Sequence, residues 1–291
     1  MKTSNHLLRR LTAALLAAVL ALSIALPVFA SDDGDTIYIN SVSDLLSLAR
    51  NCAYDQWSVG KTVILQKDLS LEGMLWEPIP SFSGQFKGNG HTISDLTITG
   101  QYSPAGLFGI VEEQGSIESL SVRGVVSVSD SADTTTGGIA GINHGTLISC
   151  QFTGVVTGDS EVGGIVGRNE SEGTIDHSTA RAIVTGKSST GGIAGYNLGA
   201  ITGCTNVGSI NTEYPEASLD TDGFTAKMVD YINNKMAAAN DDATNSVTNV
   251  ATDTGGIAGR SSGMILTSVN TGTIGYEHVG YNVGGIVGRT D

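Results

Sequence analysis

Apolar residues in this chain recur in columns spaced by a long period. A five-residue phrase, GGIAG or GGIVG, returns at Gly137, Gly163, Gly191, Gly255 and Gly284, with a related AGLFG at Ala105. The intervals between the five are 26, 28, 64 and 29 residues. A period of this size marks a solenoid, in which each repeat stacks on its neighbour. The segments GSIESLSVRGVV, GTLISCQFTGVV, GTIDHSTARAIV, GAITGCTNVGSI and GMILTSVNTGTI follow at Gly115, Gly145, Gly173, Gly199 and Gly263. Placed in register they give three apolar columns: Leu107, Ile139, Ile165, Ile193, Ile257, Ile286; Ile117, Leu147, Ile175, Ile201, Ile265; and Val126, Val156, Val184, Ile210, Ile274.

Three short β-rich stretches per period, separated by Gly and Asn, predict three strands per turn. Stacked turns then make parallel sheets around one core, an all-β parallel β-helix, right-handed by the rule for parallel crossovers. Adjacent strands lie about 4.8 Å apart, so equivalent residues form ladders. The glycines are expected at corners that need positive φ or close backbone approach. Asn143, Asn169 and Asn197 are expected at one such corner, where Asn tolerates left-handed geometry. Missing heptads exclude a coiled coil.

The pattern changes at two places. SVSDLLSLARNCA, from Ser41 to Ala53, has the spacing of a short amphipathic helix capped by Ser41 or Ser43, placed to cover the first turn. Thr62–Leu71 then reads as a strand, and Gln85–Thr99 as a turn plus two strand segments that send Ile93, Leu96 and Ile98 inward. The 64-residue interval holds about 36 extra residues, between about Thr212 and Asp253. Phe224, Met228, Ile232 and Met236 recur there every four residues, which predicts a helical insertion. The expected organisation is a signal peptide over 1–30, a cap over 31–60 and the β-helix over 61–291. The sequence stops at GGIVGRTD as a turn opens, which leads to the expectation of a fragment of a longer protein.

Composition adds a compartment. Lys2, Arg9 and Arg10 precede an apolar run from Leu11 to Leu26, and Val28-Phe29-Ala30 stands before Ser31, predicting export with cleavage between Ala30 and Ser31. These 30 residues hold three of the 15 basic residues and none of the 29 acidic ones. The remainder thus carries 12 against 29, a net charge of −17. That surface disfavours nucleic acid and anionic membranes, and no second long apolar run offers a membrane span. Cys150 and Cys204 share a column with Leu120, Ser178 and Ser268. Two rungs, about 9.6 Å, exceed the reach of a disulfide, so buried free thiols are expected there, and an unpaired Cys52.

The repeats GGIAGINHGTLISCQFTGVVTG, GGIVGRNESEGTIDHSTARAIVTG and GGIAGYNLGAITGCTNVGSI, led by FSGQFKGNGHTISDLTITG, resemble the GLUG-motif repeats of exported bacterial proteins. The resemblance runs from about Phe82 to Asp291, broken by the insertion. It implies a right-handed β-helix and a surface or secreted setting, often in multidomain proteins of Gram-positive bacteria. Some such repeats lie N-terminal to the catalytic part of immunoglobulin A peptidases. The resemblance supplies no catalytic residue.

The residues offer little chemistry. His6, His91, His144, His177 and His278 are scattered, and none begins the HExxH of a metalloprotease. Asp220 and Asp222 lack the further oxygen ligands of a calcium loop. Glu118 and Asp176 share an outward column with Ile148 between them, as do Arg123 and Arg181 around Thr153, spacings expected of a solvated face. No catalytic, cofactor-binding or metal-ligating residue is assigned, and no cofactor. The expected function is a non-catalytic scaffold, stalk or adhesin-like surface for a glycan or a host or extracellular protein. The alternatives are a carbohydrate-active β-helix lyase or hydrolase, and the N-terminal stalk of a larger exported metalloprotease.

Overall fold

The phrase GGIxG is a corner. In a computed structural model, which describes residues 35–54, 56–128, 134–212, 251–275 and 279–291, strands of four parallel sheets meet at such corners. One turn shows the order. Ala140–Asn143 lies in the first sheet, Thr146–Ile148 in the second, Gln151–Thr157 in the third and Glu161–Gly163 in the fourth; Val166–Asn169 then re-enters the first. Every named strand pairing is parallel and links one turn to the next, which makes the right-handed parallel β-solenoid expected from the repeats. Thr36–Asp291 forms one unit. The predicted cleavage site Ala30–Ser31 and the predicted helix at Phe224–Met236 lie outside the described residues.

The sequence predicts three strands per turn, and the structure has four. The fourth-sheet strands, such as Thr135–Gly137 and Ser188–Gly191, end in the glycine of the repeated phrase. Glycine counts against a strand by propensity, so this sheet is invisible to that criterion. It is required here because a Cβ on Gly163 would stand 2.0 Å from the carbonyl oxygen of Val166. The chain folds back on itself within three residues, and only glycine leaves room.

The three apolar columns are the core up to their last rungs, where Ile265 and Ile274 are partly buried and Ile286 is exposed. Leu107, Ile139, Ile165, Ile193 and Ile257 are fully buried, as are Ile117, Leu147, Ile175 and Ile201, and Val126, Val156, Val184 and Ile210. In the early turns Phe82, Phe86 and Phe108 close the interior, their ring centroids 5.4–6.3 Å apart. Ile93, Leu96 and Ile98 point inward as predicted; a register shift between Ile93 and Leu96, where Asp95 takes φ 60°, explains the three-residue step. Thr62–Leu71 is two strands, Thr62–Leu65 and Leu69–Ser70, because the chain changes sheets between them. Helix α1 (Val42–Asn51) is capped by Ser41, whose side chain accepts from the Asp44 amide at 3.2 Å. Its Leu45 and Leu48 are buried in the same core.

Asn143, Asn169 and Asn197 depart from expectation. They are strand residues, fully buried, and none has a positive φ. Their amides form a ladder: Asn143 Nδ2 donates to Asn169 Oδ1 at 2.8 Å, Asn169 Nδ2 to Asn197 Oδ1 at 2.8 Å, and Asn197 Nδ2 to Ser261 Oγ at 3.1 Å. Each also donates to the carbonyl of a corner glycine, Gly145, Gly173 or Gly199. A buried amide is stable only when its partners are present, and the stacked register provides one per rung. The left-handed corner lies instead between the second and third sheets, at Ser119, Ser149, His177, Gly203 and Thr267.

Four substitutions test this account of stability. Replacing Asn169 by Ala leaves the Asn197 oxygen and the Gly173 carbonyl short of a donor, and should lower unfolding free energy by about 2–4 kcal/mol. Asn143→Ala should lose about 1 kcal/mol less, since the Asn143 Oδ1 accepts no hydrogen bond. Denaturant titration reads both. By the same measurement Gly163→Ala should destabilise by about 3 kcal/mol, whereas Gly285→Ala should stay within about 0.5 kcal/mol, because a Cβ there meets nothing within 4 Å.

Candidate functional site

In the five inner strands of the first sheet, from Phe108–Val111 to Ala258–Ser261, a single side chain turns outward, the third. In Val166–Asn169, Val166, Gly167 and Asn169 are buried and Arg168 is half-buried. Across the sheet these third positions stack as Ser81, Ile110, Ile142, Arg168, Tyr196, Arg260 and Arg289. The last four concentrate basic and aromatic groups in a chain with an excess of acidic residues.

Tyr196 sits between two guanidinium groups, with Arg168 Cζ 5.8 Å and Arg260 Cζ 4.9 Å from its ring centroid. Both lie within the range of cation–π attraction. Arg168 makes a two-point bond to Glu161 of the fourth sheet, Nε to Oε2 at 2.6 Å and Nη2 to Oε1, with Glu170 3.7 Å away. The Glu161 carboxylate holds the Arg168 guanidinium above its ordinary pKa. Its charge is therefore committed within the protein.

Arg260 and Arg289 converge on one carboxylate. Asp291 Oδ2 accepts from Arg260 Nε at 2.5 Å and from the hydroxyls of Tyr196 and Ser262, each at 3.3 Å; Asp291 Oδ1 lies 3.5 Å from Arg289 Nε. The hydrogen bond and charge of Arg260 hold the Asp291 carboxyl below its ordinary pKa, and Tyr196 and Ser262 add to this. Arg289 also stands 3.9 Å from the buried carboxylate of Asp253, which accepts from Asn282 Nδ2 at 2.6 Å.

A shallow groove of about 490 Å³ begins at Ser262. It is lined by Ser171, Thr174, Leu198, Ala200, Ser262 and Met264, where the first sheet bends into the second. The bends differ in length. Glu170–Gly173 spans four residues and forms a wall, whereas Leu198–Gly199 and Ser262–Gly263 span two and leave the floor low. A second groove, about 410 Å³, lies on the same corner beside Ser81, Glu112 and Gln114.

The two like-charged pairs on the other outward columns are not on adjacent rungs. Glu118, Ile148 and Asp176 are in register in the second sheet, and Arg123, Thr153 and Arg181 in the third, so each pair is separated by an intervening rung. His177 Nδ1 is 2.8 Å from Asp176, and His91 Nδ1 is 3.2 Å from Asp68; His144 occupies a different corner. Among the described residues, no group of three or more His, Cys, Asp or Glu could hold a metal ion. No helix among them is long and apolar enough to cross a membrane. His6, His278, Asp220 and Asp222 lie outside the described residues. The Arg–Tyr stripe escapes a search for catalytic motifs, yet it has a signal: the residue directly after the repeated phrase is Ile142 at the first of the five copies and then reads Arg, Tyr, Arg, Arg.

Residues 158–185 match the GLUG motif. The chain carries a GLUG repeat. Halomucin of Haloquadratum walsbyi is 31% identical over 155 residues, 49% of this chain and 2% of that protein. A protein of Evansella cellulosilytica provisionally named a Gly-rich membrane protein is 29% identical over 137 residues, 34% of this chain and 16% of its own length. The chain therefore spans a small part of the curated relatives it matches. Among solved structures, a protein of Bacteroides ovatus provisionally described as an immunoglobulin A1 protease aligns over 89% of this chain and 85% of its own, at 13% identity and a TM-score of 0.48.

The three cysteines are buried free thiols, and Cys150 and Cys204 lie in the predicted ladder. The Cys150 amide donates to Ser178 Oγ at 3.1 Å, and the Cys204 amide to Ser268 Oγ at 3.2 Å. Burial pushes Cys52 and Cys204 up to about 11 and Cys150 up to about 12. Raised values favour the protonated thiol in the folded state, so this contribution to stability is full below about pH 9, the unperturbed thiol region, and falls as pH rises toward 11–12. The native protein should resist alkylation at pH 8 and take up three labels per chain after denaturation, as read by intact mass.

Proposed function

We propose that this chain is a non-catalytic β-helix module working outside the cell, as a scaffold whose outer columns bind a glycan or an extracellular protein. The observation that carries the reading is the unbroken register. From Ser81 to Arg289 the outward positions of the first sheet repeat one strand apart, about 4.8 Å, on a core that is buried through Ile257 and Ala258. Such a ladder presents side chains at fixed intervals to a repeating ligand.

Export is supported by the leader-like first 30 residues and the small proportion of basic residues in the remainder. The names of the relatives, a halomucin and a Gly-rich membrane protein, fit the same setting. A polysaccharide panel tests the proposal. Immobilised protein should retain at least one polysaccharide while releasing neither new reducing ends nor unsaturated products. Turnover of any substrate would replace the module with an enzyme. Fractionation of the native protein, followed by intact mass, should find it in the medium or at the cell surface.

A further inference from the structure

Asp291 shows what the stripe can hold. Its carboxylate is gripped by Arg260 and by the hydroxyls of Tyr196 and Ser262, with Arg289 alongside. A guanidinium and two hydroxyls converging on one anion form a carboxylate receptor, since charge-assisted hydrogen bonds are the strong ones. The receptor is superficial: the side chains of Arg260 and Arg289 are 35% and 49% exposed, and that of Asp291 24%. Displacement of Asp291 by an outside carboxylate would require no opening of the core.

From this we infer that Tyr196, Arg260, Ser262 and Arg289 form a binding site for the carboxylate of an acidic sugar, which the chain's own Asp291 occupies in this structure. The inference rests on the proposed role as a binding module and names its ligand class. The groove beginning at Ser262 favours a sugar over other carboxylates. Thr174 and Ser262 offer hydroxyls there, Ser171 donates to Glu172 Oε2 at 2.7 Å on the far wall, and Leu198 with the exposed Met264 offers an apolar shelf, the mixture that suits a pyranose ring. Arg168 contributes no free charge, because Glu161 and Glu170 engage it. Arg168 instead fixes Tyr196 from the opposite side.

A tethered carboxylate competes at an effective concentration of order millimolar, so removing it should expose the site. The probes are a galacturonate oligomer, its fully methyl-esterified form and oligoglutamate, titrated calorimetrically at low salt into wild-type protein, Asp291→Asn, Arg260→Gln and Tyr196→Phe. The uronate should bind wild-type protein weakly and Asp291→Asn about tenfold more tightly. Arg260→Gln and Tyr196→Phe should each weaken binding about tenfold, roughly one charge-assisted hydrogen bond. The ester should not bind. Tyr196→Phe keeps the ring between its arginines, so its melting temperature should match wild type and its effect reads the hydroxyl alone. Uronate binding unchanged across the variants, equal binding of the ester, or preference for oligoglutamate would each overturn the inference. Cleavage of the uronate would instead overturn the proposed role of the module, and is seen separately as product.

Discussion

The corner where the fourth sheet runs into the first is the constraint on which the remaining geometry depends. A Cβ on Gly137, Gly163, Gly191, Gly255 or Gly284 would meet a carbonyl oxygen three residues ahead at 1.8–2.1 Å. The glycine closing the phrase is equally confined: a Cβ on Gly167 would stand 2.4 Å from the Thr136 amide nitrogen, on the neighbouring turn. These contacts leave the chain one way to turn and one register in which to stack. A slip by one residue would place a side chain where none fits and would turn every core residue outward. The register is therefore fixed by sterics at the corner as well as by the apolar columns it aligns.

That register makes a polar interior tolerable. Interior amides are costly without partners, yet at the position of Asn143, Asn169 and Asn197 the partner is the same residue one turn away. The ladder begins where Val111 gives way to Asn143, and there the Asn143 oxygen stands unpartnered. Asn206 and Asn270 repeat the arrangement in the third sheet, at 2.8 Å, where earlier turns carry Val122, Phe152 and Ala180. Aromatic filling in the early turns thus gives way to amide ladders in the later ones, and both satisfy the same spacing.

Much of this was legible in the sequence, and the reasons for success and failure are specific. The columns of Ile and Val were readable because a stacked fold repeats its inward positions at a constant offset. The Ser41 cap and the stacked thiols of Cys150 and Cys204 were readable from local chemistry and one distance. The fourth sheet was not, because its strands end in glycine and propensity assigns that residue to loops. The buried role of the asparagines was hidden for a related reason. Asn with Gly a few residues to either side has the signature of a turn, and only the three-dimensional register shows that Asn143, Asn169 and Asn197 face one another. The Arg–Tyr stripe was written in the sequence at a constant offset from each phrase, but a search for catalytic motifs does not inspect outward columns.

The stripe also shows how such a scaffold acquires chemistry. In the inner first-sheet strands only the third position is free of packing duty; its neighbours are buried and the glycine is pressed against the fourth sheet. Substitution at that position changes the surface without disturbing the core, from Ile110 and Ile142 to Arg168, Tyr196, Arg260 and Arg289. Consecutive rungs then bring long side chains within about 5–6 Å of each other, the distance at which guanidinium and phenol rings attract. Bend length varies with similar freedom, and the contrast between the four-residue wall at Glu170–Gly173 and the two-residue floor at Ser262–Gly263 creates a groove beside the stripe. Rigid turns thereby supply the spacing, and one outward column with its adjoining bends supplies the specificity.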